Sequence, residues 1–258
     1  MKRKFKYIKF LFKQLEIFLK RENLQYHEII DTSLGSQKGQ VEYLINNFYD
    51  YENKGLKKNG YFIDLACADG VHYSNTYFLE KYLDWEGLLI EPNPKFTDSI
   101  MKNRTSTHVK YCIGNNNEDY VDFRIDNLMF GGIVGDNYDN NIKYREEELK
   151  SAEIVSLQTR TLESVLDDFG SPQVIDYLNL DIEGAEESVL LAFDFKKYKF
   201  KFLSIERPTI KIDIKLESVN YIQILHAGND VYYCHRDYVN EINNNPMNIF
   251  KLTPQKNW

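Results

Sequence analysis

The chain has 258 residues, of which 43% are hydrophobic and 28% are charged, so it is long enough to form one sizeable core. Its formal net charge is -7, and an acidic protein is repelled by phosphate backbones, which argues against nucleic acid as a partner. The three cysteines, Cys67, Cys112 and Cys234, are far apart and form no C-x-x-C pair. Their spacing argues against a disulfide framework or a zinc site and fits a cytoplasmic protein.

The first 21 residues are strongly basic and predict an amphipathic helix, because apolar residues recur there at helical spacing. The apolar positions are Phe5, Ile8, Leu11, Phe12, Leu15, Phe18 and Leu19. Such a helix can lie on an anionic membrane surface as a peripheral contact, or pack on the domain or a second subunit, which is the more common arrangement. We treat residues 1–50 as this N-terminal helical segment and residues 51–258 as the main domain, whose oligomeric state the sequence does not indicate.

From Tyr61 onward, short apolar runs alternate with helical patterns, which is typical of an α/β fold with a mostly parallel sheet covered on both faces. The predicted strands are Tyr61–Ala66, Gly87–Glu91, Val109–Ile113, Val174–Asp181 and Phe202–Glu206. The predicted helices are Gln40–Tyr51, Ser74–Tyr82, Lys95–Lys102, Thr161–Phe169 and one that begins at Glu183.

Two further segments depart from this alternation. Residues from about 119 to 159 contain exposed strand patterns around a Gly-rich turn, which predicts an antiparallel insertion with a functional loop over residues 131–150. Near the end of the chain, Tyr221–Leu225 and Val231–His235 flank a tight turn. This pair predicts an antiparallel C-terminal strand added to the sheet.

Small residues and acids follow the first predicted strand, at the sheet edge where open α/β folds bind ligands. The residues are Asp64, Ala66, Ala68, Asp69 and Gly70. Small side chains let the backbone approach a ligand closely, and glycine tolerates a positive φ. Glu91 ends the second strand, where a carboxylate can accept hydrogen bonds from both ribose hydroxyls of a nucleoside. Together they predict an adenosine-type cofactor.

Two features favour S-adenosylmethionine over NAD as this cofactor. The pyrophosphate-binding motif G-x-G-x-x-G is absent. S-adenosylmethionine has no phosphates, and its ammonium and sulfonium groups favour acidic neighbours, which Asp64 and Asp69 supply. For Asp64 the alternative is a turn or helix-capping acid.

A second acidic group, Asp181, Glu183 and Glu186, follows the fourth predicted strand. Like charges disfavour each other's ionised forms, so such a group indicates a functional edge. We interpret Asp181 as the residue that orients an acceptor hydroxyl or takes its proton, with Glu183 assisting, whereas Glu186 fits better as an acid that complements the next helix. Glu206 is a weaker candidate, and His72 either reaches the site or is structural. No metal site is predicted, because nothing fixes the spacing of its ligands.

Several segments resemble, in order, the motifs of FkbM-type methyltransferases. They are Ser36-Gln37, Gly60–Asp64 with Ala68–Gly70, Ser74–Tyr77, Trp85–Pro94, Thr161–Leu166 and Tyr177–Glu186. The last is the most specific, and the set spans roughly residues 36 to 206. The resemblance implies a Rossmann-like methyltransferase fold, S-adenosylmethionine as cofactor, and O-methylation of sugars or secondary metabolites.

The resemblance also implies residue roles. Asp64 and Asp69 correspond to the methionyl site, Glu91 to the ribose site, Asn115 or Asn116 to the neighbourhood of the adenine, and Asp181 and Glu183 to the acceptor site. One departure concerns the cofactor loop, because the family usually has Gly at the position of Ala66, with Ala and then Asn at Cys67 and Ala68.

The sequence therefore predicts a cytoplasmic, S-adenosylmethionine-dependent O-methyltransferase that acts on a hydroxyl of a sugar, glycan or related small molecule. Two other interpretations stay open. One is a scaffold protein that keeps the fold without turnover, which Ala66 and the basic N-terminal helix suggest. The other is an enzyme that modifies a nucleotide-sugar with NAD.

Overall fold

The computed structural model describes residues 49–50, 55–72 and 74–239. The predicted amphipathic helix and the Ser36-Gln37 element lie outside these residues. The predicted helix over Gln40–Tyr51 is wrong at its end, because Tyr49–Asp50 is a strand, β1, that pairs antiparallel with β2, Gly55–Leu56. Backbone pairing here overrides the helical spacing of the apolar residues, a common ambiguity in short segments.

Eleven further strands and six helices follow in the described part of the chain. The strands are β3 (Tyr61–Leu65), β4 (Glu86–Ile90), β5 (Thr107–Val109), β6 (Cys112–Gly114), β7 (Tyr120–Arg124), β8 (Gly132–Ile133), β9 (Ile154–Thr161), β10 (Val174–Leu180), β11 (Lys199–Glu206), β12 (Tyr221–Ala227) and β13 (Asp230–His235). The helices are α1 (Tyr77–Leu83), α2 (Thr97–Asn103), α3 (Glu146–Leu149), α4 (Leu162–Asp168), α5 (Glu186–Ala192) and α6 (Ile210–Ser218). None of these helices is long and apolar enough to cross a membrane.

Seven strands form the central sheet in the order β12-β13-β11-β10-β3-β4-β5. The pairs from β11 to β5 are parallel, whereas β13 lies antiparallel between β11 and β12. The prediction of a mostly parallel sheet with an antiparallel C-terminal strand is confirmed. The strand order reverses direction between β3 and β10, so the site is expected at the carboxyl ends of these two strands.

The sheet has a hydrophobic core on each face, because successive side chains of a strand point to opposite sides. Phe62 of β3 packs with residues of α1 and α2, whereas Ile63 packs in the core that contains residues of α4, α5 and α6. Helices therefore cover both faces, as the fold class requires. With strands buried on both sides, polar residues within them, such as Asp64 and Asn179, are held by specific hydrogen bonds.

The insertion forms a separate four-stranded sheet in the order β6-β9-β7-β8. Its central pair, β7 and β9, is antiparallel, but β6 joins β9 in parallel. The single strand predicted over Val109–Ile113 is therefore wrong. The chain leaves the central sheet after Val109 and enters the second sheet at Cys112, so one apolar run serves two sheets.

Candidate active site

Asp64 lies near the end of β3, and each of its carboxylate oxygens accepts a hydrogen bond from a buried polar side chain. Its Oδ2 accepts a hydrogen bond from Thr76 Oγ1 at 2.5 Å, and its Oδ1 accepts one from Asn179 Nδ2 at 2.8 Å. Asn179 is the direct neighbour of Asp64 on β10, which explains the pairing. Burial raises the pKa of Asp64, and the hydrogen bonds from Thr76 and Asn179 oppose that rise.

The loop after β3 turns sharply through three residues with positive φ. These are Ala66 at 62°, Ala68 at 48° and Gly70 at 79°. The turn brings the Ala68 N–H to 3.0 Å from Glu91 Oε2, so it joins the ends of β3 and β4. Left-handed conformations are costly for residues with a Cβ, and they persist where the surrounding structure needs the backbone in that position.

Glu91 follows β4 and is only 5% exposed. Its Oε2 accepts from Ala68 N–H and its Oε1 accepts from Asn93 N–H at 2.8 Å. Burial raises the pKa of Glu91 to about 8, and these two backbone N–H groups act against the rise. A carboxyl held from two sides in this way has a fixed orientation.

Two cavities meet along the loop after β3, which we call the cofactor loop. The first has Glu91 in its wall and otherwise mostly apolar residues, and we call it the nucleoside cavity after the ligand predicted from the sequence. The second, the acidic cavity, is mainly polar. Its acids are Asp64, Asp181, Glu183, Glu206 and Asp230. Ala66, Ala68 and Met129 line both cavities, so these residues mark the passage between them.

Asp181 and Glu183 follow β10 and face the acidic cavity. Burial raises the pKa of Asp181 well above its usual value, and the neighbouring Glu206 and Glu183 raise it further. Among the described residues no group donates a hydrogen bond to the Asp181 carboxyl. Burial, a hydrogen bond with Asp139 and the charge of Glu206 raise the pKa of Glu183 to about 8. Both groups are therefore proton acceptors of unusual strength for carboxylates.

Asp69 and His72 form a compact turn, and the Asp69 carboxylate is bonded within that turn. The Asp69 carboxylate accepts hydrogen bonds from Val71 N–H at 2.9 Å and His72 N–H at 2.8 Å, and it contacts His72 Nδ1 at 2.5 Å. His72 lines the acidic cavity, but Asp69 does not line either cavity. The alternative of a turn acid, considered for Asp64, thus describes Asp69 better.

Asn115 and Asn116 do not lie where the resemblance implied. They sit on an exposed turn outside both cavities, where Asn116 Nδ2 donates to Asp119 Oδ2 at 2.6 Å. The chain crosses into the second sheet before them, so Tyr111, Cys112 and Ile113 line the nucleoside cavity instead. Proximity of Asn115 or Asn116 to the adenine is therefore not supported.

The family described as the methyltransferase FkbM domain matches residues 64–231. The chain belongs to the FkbM methyltransferase family. No curated protein sequence matches it. Among solved structures, it is similar to precorrin-6y C5,15-methyltransferase from Geobacter metallireducens GS-15, with 13% identity and a TM-score of 0.37. That match covers 74% of this chain and 86% of the other.

The departures from the family motif fall where the backbone is left-handed. The family usually has Gly at the Ala66 position and Asn at the Ala68 position, and both positions have a positive φ here. Gly and Asn are the residues that adopt this conformation most readily. This FkbM-family chain therefore keeps the shape of the cofactor loop with two residues that are less suited to it.

Some residues of the site were not singled out from the sequence. The turn Leu128–Phe130, which begins with Leu128 at φ 50°, contributes Met129 to both cavities. Asn75 lines the acidic cavity, and its buried Oδ1 has no hydrogen-bond partner there. The sequence feature that could have indicated this turn is a short apolar run directly before Gly131-Gly132, within a long polar insertion.

Oxygen atoms of Asp181, Glu186 and Glu206 lie within 4.8 Å of one another. Carboxylates in this arrangement are a ligand type that suits divalent cations. However, Glu186 Oε1 accepts from Ile182 N–H at 2.8 Å, and Glu206 pairs with Arg207 at 2.8 Å. We assign no metal to these carboxylates, and the absence of a metal requirement stays a prediction.

Proposed function

We propose that this chain transfers the methyl group of S-adenosylmethionine to a hydroxyl oxygen of a sugar or glycan. The observation that carries the proposal is the junction of two unlike cavities at a loop of small residues. Membership of the FkbM family supports methyl transfer from S-adenosylmethionine in general. The acceptor and the chemistry of its hydroxyl are inferred from the acidic cavity.

The residues of the nucleoside cavity fit the adenosine half of this cofactor. Apolar side chains such as Ile90, Ile113 and Ile133 suit the faces of a purine ring. Glu91 in the wall can accept hydrogen bonds from ribose hydroxyls, as predicted from its position after β4. No glycine-rich pyrophosphate loop is present in the sequence, which fits a cofactor without phosphates better than NAD.

The acidic side fits a ligand portion with positive charge and many hydrogen-bond donors. Asp64 and the unpartnered Oδ1 of Asn75 face the same cavity and can hold an ammonium group. When bound, S-adenosylmethionine supplies a sulfonium methyl group that a hydroxyl oxygen can attack. Ala66 and Ala68, which line both cavities together with Met129, have small side chains that leave room for the transfer.

In this proposal Asp181 orients the acceptor hydroxyl and takes its proton on a carboxylate oxygen, and Glu183 assists. A base is most effective when its pKa lies near the working pH, and the pKa of Glu183 is raised to about 8. Most of the catalytic effect is alignment and exclusion of water, because the attacking oxygen and the methyl carbon must approach in line.

A sugar ring fits the remaining features of the acidic cavity. Its acids and amides can accept many hydrogen bonds from neighbouring hydroxyls. Phe130 lines the same cavity and is 57% exposed, so it offers a flat apolar surface to the C–H face of a ring. The combination of carboxylates and an exposed aromatic ring supports a carbohydrate acceptor over a fully apolar one.

Calorimetric titration with S-adenosylhomocysteine tests the cofactor assignment. We expect micromolar binding by the wild type. At about pH 9, above the Glu91 pKa of about 8, the dissociation constant should be about 10- to 100-fold higher in Glu91→Gln, since a hydrogen bond to a charged group contributes about 1.5–3 kcal/mol. Glu86→Gln is the matched control, because Glu86 is an exposed acid at the start of β4, the strand that Glu91 follows. Absence of binding by the wild type would contradict the proposal and favour a scaffold protein, whereas binding of NAD in its place would favour the nucleotide-sugar enzyme.

The acceptor is tested separately by incubating the protein with S-adenosylmethionine and a panel of methyl glycosides. We expect a methyl ether, identified by mass spectrometry, on at least one neutral sugar. Transfer only to a nitrogen or carbon atom of a non-sugar compound would contradict the acceptor assignment and leave the cofactor assignment intact.

A further inference from the structure

Arg207 connects two segments that line the acidic cavity with one loop of the insertion. Its guanidinium lies 2.8 Å from Glu206 Oε2 at the end of β11 and 3.6 Å from Glu183 Oε2 after β10. It also contacts Asp139 Oδ2 in the loop between β8 and α3. Among the described residues, no other basic side chain forms an ion pair with these three acids.

The loop that carries Asp139, residues 134–145, contacts the connection between β10 and α5 at Glu183. The Asp139 N–H donates to the Glu183 carbonyl at 3.0 Å. A Cβ added to Gly184 would lie only 3.1 Å from the Asp139 backbone nitrogen. A larger residue at position 184 would therefore crowd the hydrogen bond between the Asp139 N–H and the Glu183 carbonyl. Asp139 therefore attaches the loop to the β10–α5 connection by its backbone and to β11 through Arg207.

The backbone at both ends of this arrangement is strained. Glu183 has φ 54° and Arg207 has φ 45°, although neither is a glycine. Strained conformations of this kind are unfavourable and persist only when neighbouring contacts hold them. Between these two residues, Arg207 Nη2 lies 3.6 Å from Glu183 Oε2, and the Arg207 N–H donates to the Asn229 carbonyl at 2.8 Å.

We propose that Arg207 is a positioning residue, which fixes the Glu183 carboxyl and holds the loop of residues 134–145 against the β10–α5 connection. The inference rests on the proposed function, since Glu183 lines the acidic cavity in which the acceptor is proposed to bind. Arg207 acts through Asp139 and Glu183 and does not line either cavity itself. A guanidinium suits this role better than an ammonium group because its planar fork can engage several carboxylates together.

Two measurements on Arg207→Ala test the proposal. In the first, hydrogen exchange of the Asp139 amide should become at least about tenfold faster, because the loop loses its side-chain anchor. This measurement needs no acceptor and so remains decisive if the chain proves not to be a methyltransferase. Unchanged exchange of the Asp139 amide would overturn the proposal.

In the second measurement, kcat/KM for the acceptor should fall about 10- to 100-fold while KM for S-adenosylmethionine changes less than about threefold. Arg207→Lys should recover part of the loss, since one charge remains. An equal loss toward both substrates, or no loss, would overturn the positioning role. Arg236→Ala is the control, because Arg236 is an exposed arginine beyond β13.

Asp139→Asn provides a second route if Arg207→Ala does not fold. It removes the charge that Arg207 contacts and keeps the backbone N–H and the size of the side chain. We expect the same selective loss toward the acceptor, and a combined Arg207→Lys and Asp139→Asn variant should lose less than the product of the two single effects. Fully multiplicative effects would show that the two residues act independently and would overturn the proposal.

Discussion

The two cavities of this protein meet at one loop but differ in polarity and in how their carboxyl groups are hydrogen-bonded. The nucleoside cavity is apolar, and its one acid, Glu91, is fixed by two backbone N–H groups. The acidic cavity brings five carboxyl groups together, of which Asp181 accepts no hydrogen bond from the described residues. A carboxyl that is already fixed by hydrogen bonds suits binding of a ligand in one orientation. Carboxyl groups that repel one another and lack hydrogen-bond donors have raised pKa values, which suits proton transfer.

The largest expected effect is that of Asp181→Asn, which should separate these two roles. We expect kcat to fall by about 10²–10⁴, the usual contribution of a general base, while S-adenosylhomocysteine binds within about threefold of the wild type. Steady-state kinetics and calorimetry measure the two quantities. If kcat is unchanged, Asp181 is not the base, and if binding is lost as well, the two cavities are not functionally separate.

The same variant is expected to be more stable than the wild type. The pKa of Asp181 is raised in the folded protein, so folding becomes less favourable as pH rises from the unfolded pKa toward the folded one. Near neutral pH, asparagine removes this cost, and we expect Tm to increase by about 2–4 °C. The gain should vanish at about pH 3, where the wild-type carboxyl is protonated in both states.

The second prediction concerns pH. Activity should rise with pH across the neutral range and level off only above about pH 8, because the pKa of Glu183 is raised to about 8 and that of Asp181 is also raised. Below its raised pKa each carboxyl is mostly protonated and cannot take the proton of the acceptor hydroxyl. Burial is the largest cause of both shifts. The charged groups that also act on Glu183 are Asp139, Glu206 and Arg207. Those that act on Asp181 are Glu206, Glu183, Glu186 and Asp230.

Glu183→Gln sharpens this test. Removing the Glu183 charge should lower the pKa of Asp181, since the two carboxylates repel each other, so the acid limb should move to lower pH as kcat falls. Glu187→Gln serves as the control because Glu187 pairs with Lys211 on the surface. A profile that is flat between about pH 6 and 8 in the wild type would contradict a carboxylate base.

The third prediction tests whether the acidic cavity binds a ring. Phe130→Ala should raise the acceptor KM about threefold to tenfold, since an aromatic contact contributes about 0.5–1.5 kcal/mol. Phe130→Trp should restore binding, and the KM for S-adenosylmethionine should not change. Phe169→Ala is a suitable control, because Phe169 is a similarly exposed phenylalanine at the end of α4. An unchanged acceptor KM would rule out stacking on Phe130.

Site residues that directly follow strands of the central sheet could be predicted from the sequence, whereas residues placed by the insertion could not. Glu91 and Asp181 follow apolar strands directly, and a parallel sheet necessarily brings such positions to one edge, so both could be predicted. Asp139 and Met129 could not, because their positions depend on how a long insertion folds back on the sheet. Arg207 directly follows β11, but its role depends on the contact with Asp139, which lies in that insertion. Asn115 and Asn116 lie outside both cavities because the apolar run before them divides between two sheets.

The smallest expected effect lies in the loop that the two cavities share. Ala66 has φ 62°, a conformation that costs an L-residue about 1–2 kcal/mol and costs glycine little. Glycine loses about 0.5–1 kcal/mol through the flexibility of the unfolded chain, so Ala66→Gly should increase stability by up to about 1 kcal/mol, or about 2–4 °C in Tm. Ala192→Gly, at the end of α5, should have the opposite sign because the residue is helical. If Ala66→Gly instead lowers Tm as much as Ala192→Gly does, the Cβ of Ala66 makes contacts worth more than the strain, and the departure from the family motif is an adaptation of the loop to its alanine.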